Sequence, residues 1–401
     1  MTKAVLFLSN GHGEDAIAGR LIDALQAQGL PRAQMAGWAM VGHGAAYEAR
    51  GITRIGPANL LPSEGFGTLG LRPFLRDLRA GWIGTHRAQA RFARALRGQY
   101  RLLVAVGDVV PLLAGHLART PTAFVSCAKS AYYDGRTGHT APERWLMRRA
   151  TAVFPRDALT ADRLRAAGVA NQAVGNPMMD GLTPTAAGWF CEPGQFREQG
   201  RLGLLMLPGS RGDATANAMA LLMAVQGAAE GRFVALFACT GAVDLAAISH
   251  EASAGRLGGW RASGLPVAEA RWLDLSHFAG GRAILARDVF PEMLMAAEFA
   301  IGMAGTANEQ AMGHGLPLIV VPGRGNQGVS YMRMKRAFYG PAAIEVSRIE
   351  TDLAPALDAL LGDPARQAKM RAEGRVRMGG PGASAAIATV ILGLMEGARN
   401  G

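Results

Sequence analysis

Short continuous apolar runs, bounded by Gly and Pro, alternate along the chain with longer segments of helical period. Residues 5–8, 38–41, 102–106, 122–125 and 152–154 form one series of predicted strands. Residues 204–207, 234–238, 282–286, 299–303 and 318–321 form a second. Helices are predicted over 15–28, 111–119, 214–229 and 385–395. Short continuous apolar strands are covered on both faces, so the pattern argues for parallel sheets with helices on either side. Between the two series, 181–200 is rich in Gly, Pro and Thr and keeps neither period, which marks a linker. The predicted architecture is α/β, with Rossmann-like domains over 1–180 and 201–380 facing a central cleft. A last helix within 381–401, set off by Gly379-Gly380-Pro381-Gly382, is expected to pack back on the N-terminal domain.

One stretch is irregular. Residues 57–97 interleave apolar side chains with arginines, among them Arg72, Phe74, Arg76 and Trp82. Two readings stand. The segment is a helical hairpin that buries its apolar stripe on the first sheet, or it is a basic, aromatic surface for an acceptor lipid and a membrane interface.

Composition narrows the classes. At about 150 residues per domain, 401 residues make two or three domains, two large ones being simplest. Hydrophobic residues reach 49% and charged residues only 18%, against a usual ~25%, which excludes a disordered chain. The 53 glycines follow no triplet period and point to many tight strand-to-helix turns. The net charge is +11, and Lys3, Lys129, Lys335 and Lys369 are the only lysines. A composition bias accounts for most of the arginine; what remains is a field that favours anionic partners such as nucleotides or an anionic membrane face. Nucleic acid is not expected, because the arginines are scattered and no recognition motif is present. Three cysteines without metal spacing suit a reducing compartment. Residues 4–8 are too few for a signal-peptide core, and no stretch was expected to approach the ~20 apolar residues of a span. The expectation is a cytoplasmic protein, peripheral to the inner face of the membrane.

Several motifs can carry chemistry. Gly11-His12-Gly13-Glu14-Asp15-Ala16 follows the first predicted strand and fits G-x-G-x-x-G/A. That fingerprint also wants an acid after the second strand, and Gly42-His43-Gly44 supplies none, which disfavours a nicotinamide cofactor. His12 and Asp15 either reach a ligand that the glycines admit or cap the helix. Asp108 ends another strand of that domain, at the edge where ligands of parallel sheets bind; it is a general base or an N-cap. In the second domain Pro208-Gly209-Ser210-Arg211 combines free amides, a helix dipole and a bidentate fork, a site for phosphate. Glu309 lies one turn into the helix after Gly305-Thr306, where it holds vicinal ribose hydroxyls or simply favours the dipole. Asn326 and Gln327 follow a further strand and offer amides to hydroxyls. Three polar loops at strand ends describe a site for a nucleoside diphosphate carrying a sugar. No metal cluster, Ser-His-Asp elbow or lysine-bearing phosphate loop is visible, so no cofactor or metal is expected; dipoles and arginine would neutralise the diphosphate.

At residues 302–322 the sequence resembles the nucleotide-sugar motif of lipid-A-disaccharide synthase, and is similar to the related loop of the murein-precursor N-acetylglucosaminyltransferase. Pro208-Gly209-Ser210-Arg211 matches the synthase's Pro-Gly-Ser-Arg, while Phe154-Pro155-Arg156-Asp157 and Val174-Gly175-Asn176-Pro177-Met178-Met179-Asp180 resemble two further segments. The resemblance implies a GT-B fold, a UDP-sugar in the C-terminal domain and an acceptor in the N-terminal one. It assigns Arg211 to the diphosphate, Gly305 and Thr306 to its amide contacts, Glu309 to ribose and Gln327 to the sugar. Gly209, Ser210, Phe290 and Asn326 complete the donor set. Asp108 carries over as the base, with His12 its rival and Asp15 beside them. Ser130-Ala131-Tyr132-Tyr133 stands where the synthase has a tryptophan-rich acceptor segment. The implied activity is transfer, with inversion, of a hexose or N-acetylhexosamine from UDP to a lipid-linked acceptor. A nucleotide-sugar epimerase on the same fold and a non-catalytic nucleotide-sugar binder are the alternatives.

Overall fold

A computed structural model describes residues 4–58, 82–185, 196–210, 212–225, 231–263, 271–323 and 335–397. Arg72, Phe74, Arg76, Arg211, Asn326 and Gln327 lie outside these residues. Two units result, one from 1–181 with 380–401 and the other from 182–379.

In the first unit β1 (Val5–Ser9), β2 (Met35–Ala39), β3 (Thr53–Arg54), β4 (Leu102–Val106), β5 (Thr122–Ser126) and β6 (Ala152–Pro155) pair in the order β3-β2-β1-β4-β5-β6. All these pairings are parallel. Every residue of β1, β2, β4, β5 and β6 is buried, as the unbroken apolar runs require. The helices are α1 (His12–Ala27), α2 (Ala45–Glu48), α3 (Trp82–Ala95), α4 (Val109–Ala118), α5 (Ala141–Met147) and α6 (Ala158–Ala166). The described end of the irregular segment belongs to the core. Phe92 meets Trp38 edge to face at 4.8 Å, Ala93 and Leu96 are buried, and the Gln89 side chain donates to the Met40 carbonyl at 2.7 Å.

The second unit holds β7 (Leu202–Leu207), β8 (Phe233–Cys239), β9 (Trp260–Ala262), β10 (Trp272–His277), β11 (Arg282–Arg287), β12 (Phe299–Gly302), β13 (Leu318–Val320) and β14 (Ala343–Glu345). Their order is β14-β13-β12-β7-β8-β11-β10-β9. A purely parallel sheet was expected, but β10 runs antiparallel to both β11 and β9. The reason is local: β10 alternates exposed or half-buried positions with buried Leu273, Leu275 and His277, the pattern of a strand with one wet face. Its helices are α7 (Ala214–Val225), α8 (Leu245–Ser253), α9 (Phe290–Ala296), α10 (Thr306–His314), α11 (Ile349–Leu361) and α12 (Pro364–Met378).

The chain ends in α13 (Ala383–Gly397), which lies along α1 in the first unit. Contrary to expectation, one stretch, Pro364–Gly397, is long and apolar enough to cross a membrane by length and composition. It is two helices rather than one. Gly379 and Gly382 take positive φ of 74° and 109° and break the run. The 15 residues of α13 reach about 22 Å, short of the ~30 Å hydrocarbon layer. Its Ile387, Ala388 and Ile391 are fully buried.

Candidate functional site

In each sheet the chain leaves the first strand of the unit, winds to one side, and returns to the other. The reversal falls between β1 and β4 in the first unit and between β7 and β12 in the second. Loops at the carboxyl ends of those strand pairs flank a crevice, the usual ligand position in open α/β sheets. Among the described residues, His12, Asp15 and Asp108 belong to the first of these places, and Gly209, Ser210, Gly305, Thr306 and Glu309 to the second.

In the first unit the β1 loop and the β4 loop face each other across that point. Asp108 accepts a hydrogen bond from the Val110 backbone N–H at 2.8 Å, so it does cap α4. It also takes the Asn10 side-chain amide, at 3.3 Å on Oδ1 and 3.2 Å on Oδ2. Burial pushes its carboxyl above the ordinary aspartate value, and the Val110, Asn10 and Lys129 groups work against that rise. Capping and acid–base work are therefore compatible readings of one side chain.

His12 is exposed, its ring set over Gly42, where a Cβ would lie 3.1 Å from Cε1. Gly11 is the N-cap of α1 without any side-chain cap, so neither His12 nor Asp15 serves as one. Asp15 is 1% exposed, with Oδ1 accepting from the Ser9 hydroxyl at 2.5 Å, and Ser9 in turn meets the Tyr47 hydroxyl at 2.6 Å. These bonds tie α1 to the end of β1, while the other oxygen of Asp15, Oδ2, is buried without a hydrogen-bond partner. Burial raises its carboxyl, the Ser9 bond opposing.

Three groups missed in the sequence line a small pocket beneath Asp108, together with Leu112 and Phe124: Lys129, His139 and Glu143. Glu143 pairs with Lys129 at 2.6 Å, and its other oxygen accepts from the Thr140 N–H at 2.7 Å. Burial works to raise Glu143, but the bonds from Lys129 and Thr140 outweigh it and hold the carboxyl low. The buried His139 ring donates from Nδ1 to the Thr137 carbonyl at 2.7 Å, which leaves Nε2 to accept from the Ser126 hydroxyl at 2.9 Å. The Thr140-x-x-Glu143 capping box was the readable signal; its meeting with Asp108 was not.

In the second unit β13, β12 and β7 are parallel neighbours, so the loops after them open on one edge. Gly209 takes φ of 97° with open space where a Cβ would stand, and Ser210 beside it is exposed. Asn217, buried in α7, braces this loop by donating to the Pro208 carbonyl at 3.0 Å. Thr306 is exposed at the first turn of α10, whose N-cap is Gly305. The opening amides of that helix have no acceptor within the helix itself. Asn308 folds under the same turn, donating to the Gly302 carbonyl at 3.2 Å; a Cβ on Gly302 would fall 1.8 Å from its Oδ1. Phe290 is half-buried at the start of α9.

Glu309 differs from its expected setting. It is 3% exposed, and its Oε1 is bound to the Lys335 ammonium at 2.6 Å. A ribose would have to share this carboxylate with a buried lysine. Among the described residues, no group of three or more His, Cys, Asp or Glu side chains is arranged to hold a metal ion.

Two Rossmann-like units, each parallel around its first strand, define a GT-B fold. No protein-family model and no curated protein matches the chain. Solved structures match almost its whole length. The calicheamicin glycosyltransferase CalG4 is similar at TM-score 0.59 and 16% identity, over 98% of this chain and 99% of that one. The S. aureus MnaA–UDP complex is similar at 0.58 and 13%, over 98% and 97%. A UDP-N-acetylglucosamine 2-epimerase is similar at 0.56 and 14%, over 100% and 98%. At such identities the likeness shows the fold, and the solved GT-B proteins that share it include both a glycosyltransferase and an epimerase.

Proposed function

We propose that the chain is a glycosyltransferase that moves a hexose or N-acetylhexosamine from a UDP-sugar to a hydroxyl of a membrane-associated lipid, in the manner of the lipid-A-disaccharide synthase it resembles. The observation that carries the reading is the shared edge of β7 and β12, where the Pro208–Ser210 turn and the α10 N-terminus present amides and a hydroxyl at the strand-order reversal. A diphosphate suits this setting, since helix N-termini favour anions. The nucleotides and nucleotide sugars named for two of the similar structures support the same ligand class. Arg211 is assigned to the diphosphate, Gly305 and Thr306 to amide contacts, Glu309 with its lysine to ribose, and Phe290, Asn326 and Gln327 to the uridine and sugar.

In the transfer, the acceptor oxygen forms a bond to the sugar's anomeric carbon as that carbon's bond to the diphosphate breaks. The electron pair leaves with UDP, the acceptor proton passes to Asp108, and configuration inverts. Dipoles and arginine stabilise the departing charge, so neither metal nor cofactor is required. Arg72, Phe74, Arg76 and Trp82 are assigned to the lipid surface, and the enzyme is proposed to work in the cytoplasm against the inner membrane face.

Epimerisation of the nucleotide sugar is the second reading, and the epimerase among the similar structures favours it. One experiment tests both. The chain is incubated with radiolabelled UDP-sugars, with and without a total lipid extract. Label in the lipid phase supports transfer; a C2 epimer formed from UDP-N-acetylglucosamine without lipid supports the alternative. Neither product, with UDP still bound, leaves a non-catalytic binder.

A further inference from the structure

The turn after β1 and the turn after β4 each supply a glycine to one side chain, Glu14. A Cβ on Gly11 would lie 2.6 Å from Glu14 Oε2, and a Cβ on Gly107 would lie 2.7 Å from its Cγ. Contacts under 3.0 Å essentially never occur for real Cβ atoms, so both positions must stay bare for Glu14 to lie where it does. Gly11 has φ of 171°, extended backbone that any residue adopts, so side-chain space rather than backbone freedom explains the glycine there. The cradle sets Glu14 against the β4 turn at Gly107, whose next residue is Asp108, and the charge of Asp108 bears on Glu14.

Hydrogen-bond donors are shared unequally between the two acids. Asp108 receives the Val110 N–H and the Asn10 amide, with the Lys129 ammonium also favouring its charge. Glu14 is served by its own backbone N–H. Donors stabilise the ionised form of the acid they serve. The groups whose charge bears on Glu14 are Asp108 from the β4 turn and Asp15 from its own helix, both negative when ionised. Cys127, after β5, interacts with both Glu14 and Asp108 and is itself pushed up by burial, so it stays a neutral thiol.

We propose that Glu14 is a positioning residue for Asp108: held in the two-glycine cradle, it keeps the single proton of the pair and leaves Asp108 the charge. Burial and the neighbouring carboxylates raise Glu14, in agreement. An ionised Glu14 would press Asp108 to hold a proton of its own, and a protonated Asp108 accepts none from an acceptor hydroxyl. This role rests on the proposed transfer reaction, while the protonation state itself does not.

Infrared spectra of the full chain at neutral pH make the test. A protonated-carboxyl band present in wild type and absent from Glu14→Gln is the expected result; an unchanged band overturns the proposal. Asp108→Asn should retain the band and lower its midpoint by about one pH unit, as loss of a like charge requires. An unmoved midpoint overturns the pairing, and this arm also decides the matter should Glu14→Gln not fold. Gly11→Ala meets the flexible end of Glu14 and should shift its carboxyl and lower its midpoint part of the way towards the ordinary glutamate range. If the band behaves as expected while no UDP-sugar is turned over, the transferase reading fails and the proton pair stands. If transfer occurs and the band is missing, the reverse holds.

Discussion

The Ser384 backbone N–H donates to Asp180 Oδ2 at 2.6 Å, joining residues 204 positions apart. The Gly382 N–H reaches the other oxygen of the same carboxylate at 2.5 Å. Asp180 therefore caps the N-terminus of α13 from a distant part of the chain, at the end that the helix dipole makes positive. Arg20 of α1 holds the adjoining turn by donating to the Pro177 and Met178 carbonyls at 3.0 and 3.1 Å. The Asn176-Pro177-Met178-Met179-Asp180 segment thus ties the last helix to the first unit.

Asp180→Ala removes both acceptors. The expected loss is about 1–2 kcal/mol, the cost of deleting a good N-cap. Asp180→Asn, with one acceptor oxygen, should lose less. Urea unfolding measures the stability, and amide exchange should show faster opening over 383–397 than in β1 or β4. Uniform exchange in Asp180→Ala would deny the carboxylate its capping role.

The Glu309–Lys335 pair changes what a substitution at Glu309 reports. Lys335→Met leaves a buried carboxylate without its ammonium, at a cost of about 3–5 kcal/mol. Glu309→Ala confounds stability with binding for the same reason, so Glu309→Gln, which keeps the shape, is the informative variant. Calorimetry of the folded Gln variant should show weaker UDP but unchanged inorganic diphosphate if the ribose shares this carboxylate. Equal weakening of both ligands would assign the pair to shaping the α10 turn.

Asp108→Asn keeps an N-cap but removes the proton acceptor. Turnover should fall roughly 10²- to 10⁴-fold, with UDP affinity unchanged, because the loops proposed for the nucleotide belong to the other unit. His12→Ala is the control. The histidine is exposed over Gly42 and should be dispensable; activity that dies with His12 and survives Asp108→Asn would exchange their roles.

The readable and unreadable parts of this protein separate by the range of the interactions involved. Strands such as 102–106 stood out because burial on both faces selects an unbroken apolar run. The Trp272–His277 strand was written in the sequence as a two-residue alternation, yet it lies at an antiparallel edge that the expectation of parallel strands passed over. Asp108 and the Pro208–Ser210 turn were legible as strand-end chemistry. Glu14 was in plain view within its motif, but its place depends on Gly107, far along the chain. Lys335, likewise, neutralises Glu309 only because folding brings them together. Periodicity reports which face is buried, and it says nothing of which polar partner waits there.

His139 gives a pH prediction whose sign follows from its setting. The ring is 7% exposed, and burial lowers its affinity for a proton below the ordinary histidine value of 6.5, the Thr137 carbonyl only partly opposing. Well above pH 6.5 the folded and unfolded chains both carry a neutral imidazole, and the group adds no pH dependence. As pH falls through 6.5 the unfolded chain takes up a proton that the folded ring refuses. The unfolded state then binds more protons, so stability falls with falling pH, by at most about 1.4 kcal/mol per unit. The slope ends once pH reaches the folded ring's lowered value. Asp15, Asp108 and Glu14 are raised by burial and act in the opposite sense, but they are common to wild type and variant. His139→Gln retains an oxygen to accept from Ser126 and cannot titrate. Urea unfolding of both proteins from pH 8 downwards should show wild type losing stability relative to the variant below about pH 6.5. A constant difference across that range would mean that the folded ring binds its proton as readily as the unfolded one, which its burial argues against.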